Sequence, residues 1–127
     1  MKRTTALTAA AALVAGPAAV LLAPSAAHAD VDRSGRCGGG TYELSVDRED
    51  GGYEASVDLD RVKPGTTWRV VVRHEGRVIA NVVRTADREG DVEVERFVRN
   101  TPGTETFRFT AKRVGTKVAC GARVTVA

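Results

Sequence analysis

The stretch FRFTAKRVGTKVACGARVTV, Phe107 to Val126, decides the fold. Phe107, Phe109 and Ala111 alternate with Arg108, Thr110 and Lys112, the two-residue period of a strand with one buried and one solvated face. RVGTK, Arg113 to Lys117, then turns the chain around Gly115. Val118, Cys120, Ala122, Val124 and Val126 follow at the same period, so Cys120 faces the core with its apolar neighbours.

The same alternation extends toward the N-terminus. Tyr42, Leu44 and Val46 share a face, as do Tyr53, Ala55, Val57 and Leu59, and then Trp68, Val70 and Val72. Arg77 to Arg84 is apolar on both faces and has no clear parity. Val92 and Val94 resume the pattern, which slips by one at Phe97 and predicts a bulge near Glu95 and Arg96. The runs are separated by DREDGG (47–52), RVKPGT (61–66), HEG (74–76), ADREG (86–90) and NTPG (100–103), all rich in turn formers. No segment holds a helical period. Seven short antiparallel strands therefore predict an all-β, two-sheet sandwich of immunoglobulin or fibronectin III type, with Trp68 as the buried tryptophan of its third strand.

Residues 1–29 form a different kind of segment. Lys2 and Arg3 precede a long alanine, valine and leucine run that ends in Ala27-His28-Ala29, the pattern of a cleaved secretory signal peptide. Gly16 and Pro17 interrupt the run and no basic residues follow to stop transfer, which argues against a retained anchor. Cleavage leaves 98 of the 127 residues, a lead segment at 30–40 and one domain at 41–127, and lowers the formal net charge from +3 to +1. The expected product is freely secreted.

Two cysteines remain, Cys37 and Cys120. Cys37 follows Ser34-Gly35-Arg36 and lies beyond the cleavage site, so a lipoprotein anchor is excluded. A metal centre needs three or four ligands, and the secreted chain offers only these two thiols and His74. An even count in an oxidising compartment reads as a disulfide. Closing so long a loop is expected to restrict the unfolded chain by about 4 to 5 kcal/mol in the entropic model. Gly38, Gly39 and Gly40 then serve as the flexible exit from Cys37 into the first strand.

Catalytic chemistry is hard to assemble from these residues. His74 and Glu75 sit at a hairpin tip, where neighbours point apart and solvent is the expected environment. The pairs Asp47/Asp50 and Asp87/Glu89 suggest a shared calcium site, but the expected topology sends their turns to opposite ends. Tyr42, Tyr53, Trp68, Phe107 and Phe109 all face inward, which leaves no aromatic row for carbohydrate and only Phe97 of uncertain direction. No catalytic residue, metal or cofactor is expected, and the chain is expected not to be an enzyme.

Sorting outward residues by sheet gives a sharper pattern. The first, second and fifth strands share one sheet, and they carry Glu43, Asp47, Glu54, Asp58, Asp91, Glu93 and Glu95 outward. The third, sixth and seventh share the other, and they carry Arg69, Arg73, Arg108, Lys112 and Arg123 outward around Val71. A nearly neutral chain is thereby expected to be dipolar.

The succession C-GGG-TYELSV, TWRVVVRHEGRV and TADREGDVEVERFVRNTPGTETFRFTAKRVGTKVACGARVTV resembles a group of uncharacterised secreted actinobacterial proteins across nearly the whole secreted chain. A composition rich in alanine, valine and arginine and poor in lysine agrees with such a source. The resemblance implies the immunoglobulin-like sandwich and the export, and it implies no activity. The functional expectation is a non-catalytic interaction module whose basic face binds an anionic extracellular or cell-wall polymer. Self-association through the two charged faces is the second expectation. A small inhibitor presenting a turn such as NTPG to a secreted hydrolase is the third.

Overall fold

The computed structural model describes residues 30–127; the expected signal peptide at 1–29 lies outside them. The chain forms eight strands: β1 (Val31–Cys37), β2 (Gly40–Glu49), β3 (Gly52–Asp60), β4 (Thr67–His74), β5 (Arg77–Thr85), β6 (Val92–Arg99), β7 (Glu105–Arg113) and β8 (Ala119–Val126). They build two antiparallel four-stranded sheets of order β1-β2-β3-β6 and β5-β4-β7-β8. The expected partition of strands between sheets is therefore observed, and the count of seven is corrected to eight.

The added strand is β1, formed by the segment expected only to lead in. Its apolar residues are few, so local pattern does not mark it, and pairing with β2 is what extends it. Gly38 and Gly39 form the two-residue turn between Cys37 and Gly40, at φ +49° and +88°, conformations that the right-handed twist of a tight hairpin demands. The glycines are thus a fixed hairpin turn. Gly35 serves space instead, because a Cβ there would stand 2.6 Å from the Tyr42 ring.

The inward faces meet in one core. Leu44, Val46, Val57 and Leu59 of the first sheet close on Trp68, Val70, Val72, Phe107 and Phe109 of the second, all buried. Aromatic pairs bridge the layers, Tyr42 with Phe109 at 5.2 Å and Tyr53 with Phe107 at 5.8 Å between centroids. Trp68 Nε1 donates to Thr66 Oγ1 at 2.8 Å, and that hydroxyl donates to the Lys63 carbonyl at 2.6 Å, so the buried indole leaves no donor unmet.

At one side of the stack β1 lies beside β8, and the Cys37–Cys120 disulfide joins the two sheets there with Cα atoms 5.3 Å apart. It closes a separation of 83 positions, as the cysteine count anticipated. Such a bond is consistent with an extracellular location. Among the described residues no helix is long and apolar enough to cross a membrane.

Two local expectations are corrected. β6 pairs with β3 in unbroken register from Val92 to Arg99, so no bulge occurs at Glu95 and Arg96; Phe97 points outward, 51% exposed, and half-buried Arg96 takes the inward position. The register shift lies instead between Val72 and Arg73, where β4 pairs with the edge strand β5. His74 is not solvated either. It is 6% exposed, stacks on Phe107 at 4.6 Å, and its Nε2 lies 2.6 Å from Glu105 Oε1, a carboxyl that is itself 2% exposed. Neighbouring Glu75 turns away to accept the Thr106 amide.

Candidate functional site

The outer face of the β5-β4-β7-β8 sheet carries the basic residues, and the ladder decides which of them meet. Arg73 on β4 stands opposite Arg108 on β7, and Arg108 stands opposite Arg123 on β8. Three guanidinium side chains therefore form one row across three strands, at about 4.8 Å per strand step. With Gly76 and Thr106 they line a surface depression of about 220 Å³. Four residues back along the strands, Arg69 stands opposite Lys112 in a second, shorter row, and Arg69 Nη1 donates to Asn81 Oδ1 of β5 at 2.7 Å.

Between these rows lie Asn81, Val71, Thr110 and Gly121, one from each strand and modest in bulk. The face is thus two cationic ridges about 13 Å apart over a shallow floor, a distance set by four residues of strand rise. All five residues expected at the site are present on it. They form two sets, Arg73 with Arg108 and Arg123, and Arg69 with Lys112.

Like charges placed directly opposite in a sheet repel. Nothing nearby offsets this, because among the described residues the only ion pair within 4.0 Å is His74–Glu105 inside the core. The arginines are therefore free to use their forked donors on an external oxyanion, phosphate, sulfate or carboxylate.

The opposite face is acidic. Glu43, Asp58 and Glu93 stand abreast on β2, β3 and β6, with Asp47 and Glu54 abreast four residues along. Crowding shows in their proton affinities. Burial, then the carboxylates of Glu93, Asp60, Glu43 and Glu95, push the Asp58 carboxyl up from 3.8 to about 6. Glu95 raises Glu54, and burial together with Asp30 raises Asp47.

One acidic grouping is absent from the sequence reading. Oxygens of Asp87, Glu89 and Asp91 in the loop before β6 come within 4.8 Å of one another, and Asp87 Oδ1 accepts the amides of Glu89 and Asp91 at 2.9 Å each. Their alternate spacing was the available signal, once Asp91 is counted with the other two. Hard oxygen donors of this kind suit a cation such as calcium. The turn of Asp47 and Asp50 lies at the other end of the sheet and contributes nothing to it.

No family model matches the chain, and no curated protein does. Among solved structures it is similar to an endonuclease/exonuclease/phosphatase from Beutenbergia cavernae DSM 12333, with 19% identity and a TM-score of 0.46, over 76% of this chain and 27% of that one. The chain thus spans about a quarter of that protein's length. On that finding the expectation that the chain is not an enzyme is corrected. No activity takes its place, because a likeness at that TM-score carries no argument.

Proposed function

We propose that the protein is a secreted, disulfide-closed domain of immunoglobulin-like topology that binds an anionic extracellular polymer through the basic face of its second sheet. The observation that carries this reading is the Arg73–Arg108–Arg123 row, three cations abreast with no carboxylate in range among the described residues. Such a row suits a repeating anion. Successive oxyanions of an extended polymer can occupy both ridges at once, while the floor of Val71, Thr110 and Gly121 contributes little base-like or sugar-like specificity.

Export rests on the basic and apolar pattern of residues 1–29 together with the inter-sheet disulfide. The topology is read from strand order: with β1 set aside, the partition β2-β3-β6 against β5-β4-β7-β8 supports an immunoglobulin or fibronectin III class.

Binding of this kind is driven by release of counterions and weakens steeply with salt. The purified secreted protein is expected to be retained on heparin and on a polyphosphate matrix at low salt and to elute well before 0.5 M sodium chloride, on the order of the ionic strength that screens exposed charge. The triple variant R73S/R108S/R123S is expected to elute with the neutral-matrix control. Equal elution of the unmodified protein from charged and neutral matrices sinks the reading, and retention on only one of the two charged matrices identifies the anion.

A further inference from the structure

The two outer faces carry one grid with opposite charge. On the acidic face the row Glu43–Asp58–Glu93 spans three adjacent strands, and the row Asp47–Glu54 follows four residues along. On the basic face the row Arg73–Arg108–Arg123 spans three adjacent strands, and the row Arg69–Lys112 follows four residues along. Ser45 and Ser56 separate the rows on one face, with Glu95 beside them on β6, and Thr110 and Gly121 separate them on the other. Rows on both faces are therefore about 13 Å apart, with charges about 4.8 Å apart within each row.

We propose that the acidic face of one copy docks on the basic face of a second copy, arginine rows against carboxylate rows in register. Each face alone suffers repulsion between directly opposed like charges, and no ion pair between described residues relieves it. The upward shift of Asp58, caused by burial and by Glu93, Asp60, Glu43 and Glu95, marks the acidic grid as short of cations. A neighbour's guanidinium groups are long enough to reach these shorter carboxylates across a hydrated gap.

The surfaces that meet are different parts of the molecule, so the contact is heterologous and leaves one free face of each kind at the ends. Growth proceeds to open chains rather than a closed dimer. Charge carries the contact, which makes it weak at physiological salt and fast to form. An anionic polymer and a second copy compete for the basic face, but docking does not depend on polymer binding. The acidic face is the part it adds.

Charge exchange between two variants tests this. In E43K/E93K the row of the acidic face becomes net basic, and in R108E/R123E the row of the basic face becomes net acidic. All four positions lie outward on their sheets, and circular dichroism and thermal melting establish that each variant is folded. In sedimentation at low salt the unmodified protein is expected to show a weight-average mass that rises with concentration and falls back to one copy in 0.5 M sodium chloride. Each variant alone is expected to stay at one copy, and an equimolar mixture is expected to recover association. E43K/E93K is expected to remain on heparin, which separates loss of docking from loss of polymer binding. An unmodified protein that stays at one copy at every concentration, a variant that associates alone as well as the parent, or a folded mixture that fails to associate overturns the proposal.

Discussion

Replacing Asp58 by asparagine should stabilise the fold near neutral pH and leave it unchanged in acid. The Asp58 carboxyl is pushed up from 3.8 to about 6, so the folded chain holds a proton that the unfolded chain has released. In that interval the native state binds more protons, and stability falls as pH rises from about 4 to about 6. Above that range the whole cost of ionising Asp58 among Glu93, Asp60, Glu43 and Glu95 is present; below it, none is. Two pH units correspond to about 3 kcal/mol at most, and because the side chain is only part-buried, solvent screening reduces this to about 1 to 2 kcal/mol. Asparagine keeps the size and removes the charge. Urea unfolding followed by tryptophan fluorescence should therefore show a higher midpoint for Asp58→Asn at pH 7.5, with an unchanged slope, and matching midpoints at pH 3.5. An equal gain at both pH values, or none at pH 7.5, would refute the claim that the acidic row is self-repelling.

Other expectations follow from the core and its closure. The double variant C37S/C120S should lose about 4 to 5 kcal/mol, since the bond closes 83 positions, and a thermal melt should fall by roughly 20 °C or more; an unchanged melt would show that packing alone joins β1 to β8. Glu105→Leu should cost about 3 kcal/mol by leaving buried His74 without its partner, while H74F/E105L should recover most of that loss in chemical denaturation. Trp68→Ala should cost about 3 to 5 kcal/mol, because it empties the centre of the core and removes the indole bond to the Thr66 hydroxyl.

What was legible in the sequence follows period and charge. Strands β2, β3, β4, β7 and β8 alternate cleanly because one face of each is buried, and that parity also assigns the outward cations to one sheet. β1 is not legible, since its inward positions include Arg33 and Gly35 and it becomes a strand only by pairing beside the disulfide. The Gly-Gly turn after Cys37 was the available sign of a hairpin. Phe97 misleads in the other direction: a large aromatic reads as core, yet near the end of an edge strand its outward position costs little and Arg96 fills the inner place.

His74 and Glu105 show parity outweighing residue type. His74 continues the inward series of Trp68, Val70 and Val72, and Glu105 begins the inward series of Phe107 and Phe109, so period alone puts both in the core. Their polarity suggests solvent. Burial is tolerated because each supplies the other's hydrogen bond. The arginine row is beyond sequence for another reason: parity gives the face, but only ladder register brings Arg73, Arg108 and Arg123 abreast.

A salt titration of polymer binding tests the Arg73–Arg108–Arg123 row most directly. Binding of the secreted protein to polyphosphate, measured by fluorescence anisotropy across a range of sodium chloride concentrations, should give a straight line of log affinity against log salt. Removing Arg73, Arg108 and Arg123 together should reduce the slope by roughly two to three units, about one for each cation withdrawn from the polymer. A slope unchanged by the triple substitution, with the variant still folded, would contradict the assignment of the basic face as the binding surface.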